Sequence, residues 1–138
     1  MSEQNKAIAR RTYELFNAHN LDALDEVVAP NIVDRNPSPG QAPGLEGVKQ
    51  FFSMLYTAFP DFHITVEDLI AEGDKVVARV RVNSTHQGEF MGIPPTGKPV
   101  TQTGIDILRL AGGKAVERWG EFDTFGLMQQ LGVIPSQR

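Results

Sequence analysis

The hydrophobic period of the chain changes once, close to residue 60, and this change limits the possible folds more than any other feature of the sequence. Before that point, apolar residues recur at helical spacing in two stretches, residues 8–16 and 48–59. After it, Phe62, Ile64 and Val66 alternate with polar residues, which is typical of a half-buried β-strand. The pattern therefore predicts helices in the first part of the chain and a β-sheet in the second.

Turn and cap signals divide these two parts into elements. In chain order we predict a helix from about Ser2, a short helix capped by Asn20 and stopped by Pro30, a loop over residues 34–44, a third helix ended by Pro60, strands from residue 62, over 75–89, 101–110 and 116–123, and a terminal helix over 124–131. Helices segregated from a mostly antiparallel sheet indicate an α+β protein, and we expect a single domain over residues 1–138. A sheet that curls around its helices leaves room for a pocket between them.

Composition argues against several kinds of function. The 138 residues carry a formal net charge of −4 and no basic run, so no nucleic-acid partner is expected. There is no cysteine to act as a nucleophile, and the 3 histidines are scattered rather than grouped as metal ligands. The sequence contains no phosphate-binding loop, dinucleotide fingerprint or long apolar segment. We expect a cytoplasmic protein with no metal, no cofactor and no membrane contact.

Two runs of sequence carry a family resemblance. Residues 85–97 read THQGEFMGIPPTG and residues 119–132 read WGEFDTFGLMQQLG. Together they resemble the SnoaL-like polyketide (ester) cyclases of the nuclear transport factor 2-like superfamily, and the similarity extends over essentially the whole chain. It implies a cone-shaped, usually dimeric barrel whose curved sheet wraps around the N-terminal helices and holds a small aromatic or polyketide substrate. It also implies ring closure by intramolecular aldol condensation, without metal or cofactor.

Asp123 is the candidate general base, because the resemblance places the catalytic aspartate of the family at this position. Alternation along a strand would put Asp123 on the same face as Glu121 and Trp119. A carboxylate beside an indole in an apolar pocket has its charged form disfavoured, which suits a base that attacks a carbon acid. The alternative is that Asp123 caps the helix beginning at Thr124, and the two roles are compatible.

Asp106 and His86 are the other candidate catalytic residues. Asp106 lies in an apolar stretch, where it could stay protonated and donate to an enolate, as an aspartic acid does in ketosteroid isomerase. Alternatively, it pairs across the sheet with Arg79, Arg81 or Arg109. His86 continues the apolar face of its strand, so it could position a substrate carbonyl or assist Asp123, or it could be a core histidine.

Five further residues are predicted to contact the substrate. Trp119 would stack on a planar ring, and the phenol of Tyr13 could reach an oxyanion, although packing is the alternative for both. The remaining three predicted contacts are Phe52, Asn36 and Glu121.

Other functions of the same fold stay open. A proton shuttle like that of ketosteroid isomerase would use Asp34, Tyr13 and Asp106. A hydrolase of the limonene-epoxide type would need an Asp–Arg–Asp relay, with Arg79 or Arg81 pointing inward. A third possibility is a protein that binds an apolar small molecule without chemistry.

Two expectations concern the outside of the predicted sheet and its first loop. The uncovered sheet face is a natural interface for a homodimer. Relatives commonly carry a histidine directly after the aspartate at the position of Asp34, whereas this chain has Arg35. A fixed cation at this position would change the polarity of a substrate only if it faced the pocket.

Overall fold

The computed structural model describes residues 2–135 as three α-helices and a five-stranded sheet. The elements are α1 (Ser2–Asn17), a 3-10 helix (Leu21–Glu26), β1 (Val28–Asp34), α2 (Gly44–Ala58), β2 (His63–Glu72), β3 (Lys75–Thr85), β4 (Pro99–Ala111), β5 (Lys114–Phe122) and α3 (Thr124–Leu131). The predicted α+β class is therefore confirmed, and α1, α2 and α3 fall where the sequence places them. No helix within residues 2–135 is long and apolar enough to cross a membrane.

The sheet has the strand order β1-β5-β4-β3-β2. Neighbours from β2 to β5 are antiparallel, and β1 joins the edge of β5 in parallel. Gly112 and Gly113 form the turn between β4 and β5 with φ of 59° and 81°, the positive values that a two-residue hairpin turn requires. On the inner face of β3, Val76, Ala78 and Val80 are each only 1% exposed. This face therefore forms one side of the core.

Aromatic rings join the helices to the inner face of the sheet. Phe52 of α2 stacks on Phe16 of α1 with ring centroids 3.8 Å apart, and it meets Phe62 edge-on at 5.8 Å. Such pairs add to the free energy gained from burying the rings. The predicted substrate contact Phe52 is thus, in this structure, a packing residue between α1, α2 and the start of β2.

Strand β1 is missing from the sequence prediction, which ended a helix at Pro30. The structure ends that helix at Glu26, as a 3-10 helix, and carries Pro30 into β1. Proline is tolerated because β1 is an edge strand, and its pairing with β5 is interrupted between Val28 and Val33. A proline lacks the N–H that a central strand would need, so it marks an edge strand as readily as a helix end.

Strand β3 is shorter than predicted. At the same end of the sheet, a side chain of α3 forms hydrogen bonds with the backbone of β4. Strand β3 stops at Thr85 rather than at Glu89, because the N–H groups of Gln87 and Gly88 bond to the Ala58 carbonyl at the end of α2. Strand β4 extends beyond the end of β5, and Gln130 of α3 bonds to both backbone groups of Thr101 there.

The loop between β1 and α2 packs tightly on α2 at Gly47. A Cβ atom at this position would overlap the backbone carbonyl of Ala42, which cannot move aside as a flexible side chain would. Helix propensity alone predicts that Gly47→Ala stabilises the protein by about 1 kcal/mol. We expect the opposite sign, a loss of about 1–3 kcal/mol, because the overlap displaces the loop.

The free energies of unfolding of wild type and Gly47→Ala, measured in urea, test this packing. Ser53→Ala, an exposed substitution in the same helix, is the control and should change stability by no more than about 0.5 kcal/mol. A more stable Gly47→Ala variant would show that the loop does not press on α2.

Candidate functional site

Arg118 joins two carboxylates on the inner face of the sheet. Its Nε and Nη2 groups donate to Oδ1 of Asp106 at 3.1 and 2.9 Å. Its Nη1 group donates to Oδ1 and Oδ2 of Asp34 at 3.0 and 3.3 Å. Asp34 ends β1, Asp106 lies in β4 and Arg118 in β5, so the three side chains link three strands. Burial works against the charge of Arg118, but the two carboxylates raise its pKa above the ordinary value.

Tyr13 extends this network to α1. Its hydroxyl donates to Oδ2 of Asp106 at 2.9 Å, and its ring is only 4% exposed. Burial, followed by the charge and hydrogen bond of Asp106, raises the pKa of Tyr13 well above the usual value. The phenol therefore stays protonated and acts as a hydrogen-bond donor to Asp106.

The loop after β1 supplies the remaining partners of Asp34. Oδ1 of Asp34 accepts from the backbone N–H of Asn36 at 3.0 Å, and Oδ2 accepts from Nε2 of Gln41 at 3.2 Å. The carbonyl of Asn36 accepts from Nη1 of Arg118 at 3.3 Å, and its side-chain Oδ1 accepts from the N–H of Gly120 at 2.9 Å. The predicted substrate contact Asn36 thus holds the loop to β5.

A glycine makes room for the network. Gly120 lies opposite Asp106 in the β4–β5 ladder, and a Cβ atom there would overlap the guanidinium of Arg118 and come within 2.5 Å of Asp106 Oδ1. A small residue on the inner face is the sequence signal that could have indicated a bulky polar group beside it. Arg118 is not among the residues that the sequence pattern predicts for the site, and the predicted partners of Asp106 are Arg79, Arg81 or Arg109.

Those three arginines lie on the outer face and have other partners. Arg79 pairs with Asp68, Arg81 with Glu67, and Arg109 with Glu117. The predicted cross-sheet pairs of Asp106 are therefore wrong. The inward Asp–Arg–Asp arrangement that a hydrolase would need does occur, but through Arg118.

Trp119 and Glu121 also face outward, contrary to their predicted place in the pocket. Trp119 is opposite Ile107, and Glu121 is opposite the exposed Ile105. Because side chains alternate along a strand, Arg118, Gly120 and Phe122 take the inner positions. Neither residue reaches the interior network.

Asp123 is exposed at the end of β5 and caps α3. Its Oδ1 accepts from the backbone N–H of Gly126 at 2.8 Å, and its own N–H bonds to the carbonyl of Thr103. The expectation of an apolar environment beside the indole is wrong, because β5 ends at Phe122 and the chain turns into the helix at this residue. The catalytic role of Asp123 stays a prediction.

His86 is completely buried, at 0% exposure, and lies far from the Arg118 network. Ala78 is opposite Asp106, and His86 follows eight residues later along the same strand direction, so roughly 26 Å of extended chain separates them. The ring centroids of His86 and Phe59 are 5.4 Å apart. The structure thus places the candidate residues in three separate regions, at Asp106, Asp123 and His86.

Arg35, the cation that replaces the usual histidine, faces outward. Its Nε donates to Oε2 of Glu117 at 2.6 Å, and Arg109 donates to the other oxygen. Arg109 and then Arg35 lower the pKa of Glu117. The substitution therefore bears on the outside of the sheet rather than on a pocket.

A surface cleft of about 190 Å³ lies between the loop after β1 and α2, lined by residues that include Ser38, Gln41 and Phe51. It is smaller than the roughly 300–1,000 Å³ of most ligand pockets. Gln41 connects it to Asp34. Within residues 2–135 no group of three or more histidines and carboxylates is arranged to hold a metal ion.

A curved five-stranded sheet with helices on its inner face and a buried polar network between them defines a cone-shaped α+β protein. The family model for SnoaL-like polyketide cyclase matches residues 6–131. The chain belongs to the SnoaL-like polyketide cyclase family, whose members bind small ligands in a pocket.

Relatives and solved structures agree with this family. The chain is 29% identical over 136 residues to the aklanonic acid methyl ester cyclase AcmA of Streptomyces galilaeus, covering 96% of this chain and 92% of AcmA. TsrD of Streptomyces laurentii matches with a TM-score of 0.89 and 28% identity, covering 97% and 98% of the two chains. IdmH of Streptomyces antibioticus matches with a TM-score of 0.83 and 36% identity, covering 94% and 99%. These similarities confirm the predicted fold.

We expect the Arg118 bridge to dominate the stability of the interior. Arg118→Met leaves two largely buried carboxylates without their cation, which should cost about 3 kcal/mol or more. Arg79→Met, which breaks an exposed pair with Asp68, should cost at most about 1 kcal/mol. Urea unfolding of both variants measures their free energies of unfolding. Equal losses of stability would show that the Arg118 bridge contributes no more to stability than an exposed ion pair.

Proposed function

We propose that this protein is a polyketide cyclase that removes a proton from an activated carbon of a small carbonyl substrate and closes a ring by aldol addition. The family and the aklanonic acid methyl ester cyclases among its relatives support this reaction class. The observation that carries the proposal is the hydrogen bonding of the three candidate carboxylates, which differs sharply among them.

A carboxylate offers about four lone-pair directions to hydrogen-bond donors. Asp34 uses four, from Arg118 to both oxygens, from Asn36 and from Gln41. Asp106 accepts three, two from Arg118 and one from Tyr13. Among residues 2–135, the Asp123 carboxylate accepts one, from Gly126. Asp123 therefore has the oxygen that is free to take a proton from a substrate.

Because Asp123 is exposed, the substrate itself has to exclude water from this carboxylate. A hydrated carboxylate is a weak base towards a carbon acid, and water has to leave before proton transfer becomes favourable. An apolar substrate that lies across Asp123 would itself exclude that water. In the proposed reaction Asp123 takes the proton, and the resulting enolate carbon attacks a second carbonyl of the same molecule. The C=O π bond opens to an alkoxide, which takes up a proton from the protonated Asp123 or from water to give the hydroxyl of the product.

The alternative proton shuttle is favoured by one observation, since the structure brings Asp34, Tyr13 and Asp106 into one network. In that network, however, Tyr13 donates to Asp106, so Asp106 accepts a hydrogen bond where an oxyanion site would need it to donate. Two carboxylates and one guanidinium also leave the network with a net negative charge, which opposes an enolate. The geometry therefore supports cyclisation with Asp123 better than the shuttle.

The Asp123→Asn variant tests the base assignment. Asparagine caps a helix about as well as aspartate, so the fold should survive. We expect kcat for ring closure, measured on aklanonic acid methyl ester, to fall about 100-fold or more, because general-base catalysis contributes that much. Binding of the ester should change little.

Two further variants make this test specific. Glu121→Gln, an exposed carboxylate two residues earlier, should keep full activity. Unchanged turnover in Asp123→Asn eliminates the assignment, and loss of turnover only in a folded Asp34→Asn variant favours the shuttle. A wild-type protein that binds the ester but neither closes it nor exchanges its carbon-bound protons with deuterated water is a binding protein.

We also propose that the outer face of the sheet forms a homodimer. Cross-strand neighbours place Ile70, Val77, Ile107 and Trp119 in one apolar row over β2 to β5, and Ile70 is 62% exposed. A self-complementary apolar face is suited to a two-fold interface.

Ile70→Lys tests this interface. We expect the variant to be monomeric in sedimentation equilibrium, while wild type has twice that mass, because a lysine cannot be buried there without a partner. Met54→Lys, at an exposed apolar residue of α2 on the other side of the sheet, is the control and should leave the mass unchanged. A monomeric wild type would contradict the proposal.

A further inference from the structure

His86 has one ring nitrogen whose protonation state the structure fixes. Nδ1 lies 3.2 Å from the backbone nitrogen of Thr96 and 3.0 Å from its hydroxyl. A backbone N–H can only donate, so Nδ1 must accept. In the neutral ring the hydrogen is then on Nε2.

This Nε2–H group is buried and has no hydrogen-bond partner among residues 2–135. His86 continues the inward row of β3 and packs against Phe59, and Phe90 in turn packs on Phe59 with ring centroids 5.1 Å apart. Burying a donor without a partner is unfavourable, and natural proteins rarely do so. The group is therefore suited to a partner that comes from outside the chain.

The chemistry of the surroundings limits that partner. It has to accept a hydrogen bond, and its other side has to tolerate phenyl rings. A hydroxyl or a water would bring hydrogens with nowhere to donate, and a buried water normally has two to four polar partners. A carboxylate would lose its hydration for a single hydrogen bond. A neutral carbonyl oxygen fits both conditions.

We propose that His86 Nε2–H binds a ketone or ester carbonyl oxygen of a flat apolar ligand, in the neutral tautomer that Thr96 fixes. This deepens the proposed function, on which it rests for the class of natural ligand. From the strand register, His86 is five residues beyond Arg81, which is opposite Thr103, the residue that Asp123 contacts. Asp123 is thus roughly 16 Å along the strand direction and two strand spacings across the sheet from His86, so the carbonyl site would orient a distant part of an elongated substrate.

Paired ligands test the site without any need for turnover. Fluorenone and fluorene have the same three-ring shape, but only fluorenone has a carbonyl in place of the methylene. By equilibrium dialysis we expect wild type to bind fluorenone about fivefold more tightly, the usual effect of one hydrogen bond. His86→Leu should lose this preference. His86→Gln, which keeps an N–H near the same place, should retain part of it, and His63→Leu, at an exposed histidine, should retain all of it.

Nitrogen-15 NMR of the histidines gives a second readout that does not depend on a variant folding. The proposal requires His86 to carry its hydrogen on Nε2 and this proton to shift on addition of fluorenone but not of fluorene. Hydrogen on Nδ1, no fluorenone binding, or an equal preference in wild type and folded His86→Leu would each overturn it. Asp123→Asn should keep the fluorenone preference, so a failure of the carbonyl site and a failure of the proposed base are distinguishable.

Discussion

The bridge that Arg118 makes between Asp106 and Asp34 is the interaction on which the interior depends. A guanidinium in this position is stable only if its N–H groups meet acceptors, and the two carboxylates equally need donors. That requirement draws in Tyr13 from α1, together with the loop after β1. One side chain of β5 therefore fixes the relative positions of three strands, one helix and one loop.

This bridge also separates structural from reactive groups. The carboxylates that hold the interior together have their oxygens occupied by donors, so they have little capacity left for a substrate. Two polar groups that have free hydrogen-bonding capacity within residues 2–135 lie elsewhere, at Asp123 on the end of β5 and at Nε2 of His86. A rigid network that takes no part in proton transfer can position such groups without competing with them.

Local patterns predicted most of the fold but misjudged one strand and the facing of another. The helical stripes and the period-two strands are properties of neighbouring residues, so they could be recognised directly. Pro30 was taken as a helix end because proline also ends helices. Only the pairing of β1 with β5, which makes β1 an edge strand, shows that proline is tolerated in a strand here. Trp119 was placed inside because alternation puts it on the same face as Asp123, the candidate base, and this assignment of faces leaves Arg118 on the outside.

The sequence by itself determined the order of helices and strands, the hairpin at Gly112 and Gly113, the capping capacity of Asp123 and the membership of a family. Tertiary structure decided which face of β5 meets the helices, and with it the partners of Asp106. It also decided that Nε2 of His86 has no partner in the part of the chain that the structure describes. The physical reason is that alternation gives two faces but does not say which one is buried. That choice is made by ladder partners and packed helices far away in the chain.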